Sequence, residues 1–351
     1  MKTTVFGVGA WGTTLAGILA ENGHDVVMWS HDPEIARTIN EEHENKALFA
    51  GVKLSDKIRA TTDLKEACVD SKIVVFVVAS QFYASTVQKA HPFLPRDVVI
   101  VSATKGLNPA DNRRPSEVLI ENLPPEMKTR VAVLSGPNIA REIALKKPAT
   151  TVIASPNEEI AKAAQKFFST PYFRVYTNTD MAASELGGTL KNVIAIAAGI
   201  VDGLDLGDNT KSALMVRGLV EIIRFGTHFG AKADSFYGLA GMGDLITTCS
   251  SKMSRNHFVG ESLAQGKTLK DILAGMTAVA EGVEAARHVH EIAQREKIEM
   301  PVTTQVYKVL FEDKPVKQAI MDLMTRDLKA DGEFRARFDQ EFRELMGAFG
   351  S

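Results

Sequence analysis

The chain has little of what would mark a secreted, membrane-bound or nucleic-acid-binding protein. It holds two cysteines, Cys68 and Cys249, far apart and without ligand-like neighbours. That usage excludes a disulfide framework and points to a reducing compartment. No apolar run approaches the roughly 20 residues of a membrane span. Lysine and arginine number 41 against 43 acidic residues, a formal charge of −2. A general nucleic-acid binder, whose phosphate contacts need a basic surface, is therefore not expected. The eight histidines form no H-E-x-x-H, and His288 and His290 point to different faces of a predicted helix, so no metal site is expected. There is no G-x-S-x-G elbow and no G-x-x-x-x-G-K-[ST] loop. The amino terminus enters a strand at once, without a basic segment and apolar core ahead of it, and the chain ends in AFGS. A cytoplasmic location is the expectation.

What is present is 351 residues of ordinary globular composition, enough for two domains with sizeable cores. The first half alternates strand and helix patterns: KTTVFGV, DVVMWS, KIRATTDL, KIVVFVVAS, DVVIVSAT, RVAVLSG, ATTVIAS and YFRVYTN as strands, with TTLAGILAENG, IARTINEEHEN, LKEACVD, 83–90, 139–144 and EEIAKAAQKFFS as helices. The continuous apolar run at 72–80 is of the kind a parallel sheet buries on both faces. The alternation predicts an α/β domain, a Rossmann-type doubly wound parallel sheet, over residues 1–179. Beyond Asp180 only helices are predicted, over 181–201, 208–229, 268–275, 281–296, 302–310 and 315–323, giving an all-α carboxy-terminal domain over 180–351. Its tail, from about residue 324, sets Arg335, Arg337, Glu341, Arg343 and Glu344 around Phe334, Phe338 and Phe342, the pattern of a surface amphipathic helix.

TVFGVGAWGTTL carries Gly7, Gly9 and Gly12 in G-x-G-x-x-G order between a strand and a helix, the context a dinucleotide site requires. Gly7 permits the turn, Gly9 lets backbone approach a pyrophosphate, and Gly12 lets the helix pack closely. That helix's amino terminus stabilises the anion. The tip of the second strand reads WSHDPE. His31 there suits adenine or a 2′-phosphate, and Asp32 suits either ribose hydroxyls or a helix cap; NAD and NADP are left open.

Several linked motifs give the chain a strong resemblance to one family: GVGAWGT (7–13), SATKGL (102–107), LSGPNIAREIA (134–144), ELGGTLKNVIAIAAGIVDGL (185–204), GLAGMGDLITTCSSKMSRN (238–256) and AVAEGV (278–283). Together they resemble the NAD(P)-dependent glycerol-3-phosphate dehydrogenases of bacterial type, from Lys2 to about Leu323. Members of that family reduce dihydroxyacetone phosphate to sn-glycerol 3-phosphate, the backbone precursor of glycerophospholipids. The resemblance implies Lys191 as the catalytic proton donor and acceptor, with Lys105 and Asp244 beside it. It implies a cofactor site of Gly7, Gly9, Ala10, Trp11, Gly12, His31, Lys105, Gly136, Ala140, Arg255, Val279 and Glu281. Substrate contacts fall to Lys105, Gly136, Asn138, Lys191, Asn192, Asp244, Ser254, Arg255 and Asn256. It also implies a homodimer. Ala10 and Asn138 stand where serine is common in the family, which removes one pyrophosphate contact and leaves the substrate hydrogen bond at Asn138 open.

The residues read the same way from chemistry. A ketone gaining hydride develops negative charge on oxygen, so its site needs a positioned acid. Lys191 heads an almost wholly apolar helix. Burial disfavours its charged form and brings it nearer working pH, and a second cation, Lys105, adds to that effect. Asp244 orients an amine or holds a substrate hydroxyl. Ser254, Arg255 and Asn256 offer adjacent hydroxyl, guanidinium and amide donors to a phosphate, and Ser254 also suits a helix cap. The competing readings are a structural ion pair of Lys191 with Glu185 or Glu281, Pro137 opening an ordinary helical turn, and a solvated loop around Ser254. At the level of the protein they are a non-catalytic NAD(P)-binding regulator and a related hydroxyacid dehydrogenase.

Overall fold

Eight strands form one sheet in a computed structural model that describes residues 1–276 and 279–327. The strands are β1 Lys2–Phe6, β2 Asp25–Trp29, β3 Ile58–Thr61, β4 Ile73–Phe76, β5 Val99–Ser102, β6 Val131–Ser135, β7 Ala149–Ala154 and β8 Phe173–Asn178. Their spatial order is β3-β2-β1-β4-β5-β6-β7-β8. β4, β5 and β6 are buried along their whole length, because helices cover both faces; this is why they read as unbroken apolar runs. Strand order reverses between β1 and β4, and open α/β sheets bind ligands beyond the carboxyl ends of the strands at such a point.

One expectation is corrected. β7 runs antiparallel to β6, pairing Leu134 with Ile153, and β8 is parallel to β7, so the last two strands point opposite to the first six. A parallel crossover needs a helix long enough to return along the strand. The helix between β6 and β7, Ala140–Ala144, is too short for that return. The chain therefore re-enters the sheet at the edge it left. Alternation of strand and helix carries no strand direction, so the pattern missed this. The sequence reading also passed over the helices Lys46–Phe49, Pro115–Asn122 and Pro125–Lys128.

The helical domain is built around Met181–Gly203, whose residues from Ala183 to Val201 are all buried. By length and composition this helix resembles a membrane span, but 89% of its most apolar window is buried in the protein, and it serves as a core. Asp180 caps it by accepting the Ala183 N–H at 2.9 Å. Around it pack Gly207–His228, Asp244–Ser250, Arg255–Ala264, Glu281–Glu296 and Pro301–Phe311. The helix Arg255–Ala264, whose cap Ser254 suits from sequence, is absent from the predicted helical spans, having an interior glycine and few apolar residues. Tertiary contact outweighs that weak propensity. A Cβ at Gly260 would lie 1.9 Å from the Ile196 carbonyl oxygen, so glycine lets the two backbones touch. Cys68 and Cys249 are free and buried. The expected tail helix around Phe334, Phe338 and Phe342 lies outside the described residues.

Candidate active site

The glycine loop has the form its spacing predicts. Gly7 adopts φ 123°, and a Cβ there would meet the Val77 carbonyl oxygen, at the end of β4, at 2.6 Å. A Cβ at Gly12 would strike the Gly7 carbonyl oxygen at 2.1 Å. Above Gly9 there is nothing within 4 Å, and Gly9 opens the helix Ala10–Glu21 without a side-chain cap. Crowding at two glycines and open space at the third leave room over Gly9, beside the helix's N–H groups, for an anion such as a pyrophosphate. Trp11 packs edge-on to Phe173 at 6.4 Å beside this helix.

At the tip of β2, Asp32 takes the role of a cap, accepting the Glu34 N–H at 2.8 Å, and His31 is exposed next to it. The connection from β6 to the antiparallel β7 carries Gly136, Asn138 and Ala140. Thr14 Oγ1 donates to the Ala140 carbonyl at 3.2 Å, tying that segment to the Ala10–Glu21 helix. Asn138 is engaged at both ends of its amide: Nδ2 donates to the Thr150 carbonyl at 3.0 Å and Oδ1 accepts from Thr151 Oγ1 at 2.8 Å. Its side chain thus holds the β6–β7 connection. Pro137 does not open a helix there; Ala140 does, with Ile139 ahead of it.

Lys191 faces a carboxylate that comes from neither Glu185 nor Glu281. Its Nζ donates to Asp244 Oδ1 at 2.5 Å and to Thr248 Oγ1 at 2.6 Å. Lys105 Nζ donates to the other oxygen of the same carboxylate, Asp244 Oδ2, at 2.6 Å. Two ammonium groups thus share one carboxylate that is 1% exposed. Burial and the Lys105 charge push the Lys191 ammonium down to about 8, against the pull of Asp244. Lys105 is the more open of the two, with 18% of its side chain exposed.

Three elements converge to build this group. Lys105 follows β5 on the segment steadied by Thr104 Oγ1, which donates to the Val78 carbonyl at 2.8 Å. Lys191 is carried by Met181–Gly203. Asp244 follows a π-helical turn, Leu239–Gly243, a distortion frequent at functional sites. A Cβ at Gly187 would lie 2.7 Å from the Ala240 carbonyl oxygen, so that glycine admits the turn against the Lys191 helix.

The segment expected as a substrate loop is mostly helical up to Ser250, with a short bend before the next helix. Ser254 caps Arg255–Ala264 by accepting the His257 N–H at 3.3 Å. Arg255 is exposed at that helix's start. Asn256 is buried, and its Oδ1 accepts the Gly282 N–H at 2.9 Å, which fixes the amide with its nitrogen as the donor end. Glu281 accepts a long hydrogen bond of 3.5 Å from Asn192 Nδ2, and Val279 is exposed just ahead of it. Asn192, Asn256, Glu281 and Gly282 therefore meet where three helices come together.

Sequence reasoning missed Thr248, the second acceptor of Lys191; its spacing from Asp244 on one helix face was the available signal. It also missed the buried Ser135 hydroxyl at the end of β6, which has no partner among the described residues. No local pattern marks that position. Among the described residues no group of three or more His, Cys, Asp or Glu is placed to hold a metal. A separate apolar groove of about 610 Å³, lined by residues such as Ala197, Val306 and Ile320, contains none of the residues above.

Two family models match the chain, described as the NAD-dependent glycerol-3-phosphate dehydrogenase N-terminus over residues 2–161 and C-terminus over residues 180–321. A glycerol-3-phosphate dehydrogenase, NAD(P)+, of Geobacter sp. (strain M21) is 46% identical over 331 residues, 94% of this chain and 99% of that one. The protein of the same name from Bacillus cereus (strain B4264) is 45% identical over 332 residues, 95% of this chain and 98% of that one. The crystal structure of glycerol-3-phosphate dehydrogenase from Coxiella burnetii aligns with a TM-score of 0.87 at 35% identity, over 93% of this chain and 99% of that one. A PanE/ApbA family ketopantoate reductase from Ralstonia eutropha JMP134 aligns over 91% of this chain and all (100%) of that one, with a TM-score of 0.57 at 15% identity, a likeness of fold alone.

Proposed function

This chain belongs to the NAD-dependent glycerol-3-phosphate dehydrogenase family, and on that premise we propose that Lys191, Asp244 and Lys105 are the centre at which it interconverts dihydroxyacetone phosphate and sn-glycerol 3-phosphate. The protein is an NAD(P)-dependent oxidoreductase, with selectivity between NAD and NADP left open. The observation that carries the proposal is the pair of ammonium groups on one buried carboxylate. A structural ion pair needs one cation. Two leave a net positive charge in a partly dry site, where it stabilises an oxyanion.

When bound at the Gly7–Gly12 loop, NAD(P)H supplies the hydride. The open space over Gly9 and the uncapped helix start fit its pyrophosphate. In reduction, Lys191 donates a proton to the substrate oxygen as negative charge develops there. In oxidation the neutral amine withdraws the hydroxyl proton. Asp244 fixes both amines, and Thr248 completes the orientation of Lys191. Lys105, the second donor to Asp244, stabilises the oxygen in both directions. The phosphate falls to Arg255 and to the amino terminus of its helix, which combine a bidentate donor with free N–H groups. A non-catalytic nucleotide binder gives no account of the second ammonium.

The wider setting proposed with this function is a cytoplasmic homodimer with the two domains meeting near residue 180, whose product feeds glycerophospholipid synthesis. The test is the rate of NADH and NADPH oxidation with dihydroxyacetone phosphate, beside unphosphorylated dihydroxyacetone and with Lys191→Ala in parallel. Turnover that requires both the phosphate and Lys191 is expected. Near-normal turnover by Lys191→Ala refutes the role given to that lysine.

A further inference from the structure

Glu185 is a buried carboxylate that the proton-handling centre does not use. It lies on the helix that carries Lys191, ahead of it in the chain, and is 4% exposed. Its Oε1 accepts the Ser116 N–H at 2.7 Å, and its Oε2 accepts the Ser116 hydroxyl at 2.6 Å and the Arg114 guanidinium at 3.1 Å. All three donors belong to the sheet domain. They stand at the start of Pro115–Asn122, where the segment that leaves β5 with Lys105 comes to its end. One turn further along the Lys191 helix, Thr189 Oγ1 accepts the Gly106 N–H at 3.0 Å, next to Lys105 itself. Between these two anchors, a Cβ at Gly188 would stand 3.6 Å from the Lys105 Cδ and Cε atoms, so the lysine stem crosses the helix at a glycine. The Lys105 segment is thus held to the Lys191 helix at both of its ends.

Apolar packing would join the two domains at lower cost than a buried carboxylate, whose desolvation must be offset by its donors. What packing does not supply is direction. A carboxylate gripped by one backbone N–H, one hydroxyl and one guanidinium fixes both the translation and the rotation of the segment it holds. We infer that Glu185 is a positioning residue: through Ser116 and Arg114 it registers the Lys105 segment against the Lys191 helix, and so sets where the Lys105 ammonium stands on Asp244. This rests on the roles proposed above for Lys191, Lys105 and Asp244.

The experiment compares the wild-type chain with Glu185→Gln and Ser116→Ala, measuring kcat and KM for dihydroxyacetone phosphate from pH 6 to 10, NADH affinity by fluorescence, and Tm. Glutamine keeps the size of the side chain but turns an amide NH2 toward Arg114. Misplacing a group near the chemistry by an ångström costs about 10²-fold in rate, and a loss of that order in kcat is expected for Glu185→Gln, with NADH affinity within twofold of wild type. The groups facing Lys191 are Asp244 and the Cys249 thiol from one helix and Lys105 from the β5 segment. When Lys105 drifts away its repulsion is lost, so the alkaline limb of the reduction profile moves to higher pH. Ser116→Ala, which removes one donor, shifts both readouts in the same direction by less. A merely structural role lowers Tm but leaves kcat per folded molecule and the limb where they were, and that result overturns the inference. If Glu185→Gln does not fold, Ser116→Ala decides by the same criteria. A wild-type chain without turnover overturns the proposed function and this inference together, whereas an active wild type matched by both variants overturns this inference alone.

Discussion

Asp244→Asn tests the centre most directly, because it removes the one carboxylate between two ammonium groups and little else. A carboxylate and an ammonium whose charges lie about 4 Å apart attract by about 4 kcal/mol at an effective dielectric near 20. Losing that attraction is about 3 pK units for the group that gives up its proton. Lys191 is the more buried of the two lysines, so the loss falls on it first. Lys191, already pushed down to about 8, is then pushed lower still. The sign follows: reduction needs the protonated amine, which becomes a minor form at pH 7, so kcat/KM for ketone reduction falls about 10²-fold. The alkaline limb of the reduction profile moves to lower pH by two to three units, and activity returns in part near pH 5. The assay is the initial rate of NADH or NADPH oxidation across pH 5 to 9. A loss of equal size at every pH, with the limb unmoved, refutes the reasoning. Asp244 would then hold substrate rather than set the charge on Lys191.

Arg255→Lys keeps the charge and loses the planar fork, so KM for dihydroxyacetone phosphate is expected to rise at least tenfold, with kcat within threefold of wild type. Steady-state kinetics beside unphosphorylated dihydroxyacetone check it; an equal effect on both substrates shows that Arg255 does not read the phosphate. Glu221, wholly buried, accepts the Val302 and Thr303 N–H groups and the Thr303 hydroxyl, and burial pushes its carboxyl up to about 7 from 4.5. The folded chain then keeps a proton that the unfolded chain has lost, so stability contributed by this group falls as pH rises from 4.5 to 7, by about 3 kcal/mol. Urea unfolding at pH 5 and pH 8 is expected to show that share of the difference in wild type and to lack it in Glu221→Gln.

Much of the site's frame was legible because it is local. Gly7, Gly9 and Gly12 stand between a strand and a helix, and a strand–loop–helix crossing constrains each of them within a few residues of chain. Asp32 and Ser254 offered two roles from sequence, a cap and a ligand contact. The structure shows both as caps, since a carboxylate or hydroxyl just ahead of a helix finds free N–H groups nearby. For Asn138 the resemblance leaves a substrate hydrogen bond open, and the structure shows its amide closing the connection between β6 and β7. Nothing in SGPN distinguishes those outcomes, because the acceptor on Thr150 and the donor on Thr151 belong to the next strand.

The sequence by itself determined the sheet-then-helix order, the place of the dinucleotide loop and the anomaly of a lysine in a buried helix. Each of these follows from periodicity or from the stereochemistry of glycine, which act over a few neighbouring residues. Only the tertiary structure decided what Lys191 faces. Asp244 lies 53 residues beyond it and 139 residues beyond Lys105, and the geometry that joins them comes from helices packing through glycine contacts. It also decided the direction of β7 and the extent of the helix Arg255–Ala264. Pairings of that range leave no mark on local pattern, because the contacts that stabilise them form only once the separate elements have packed together.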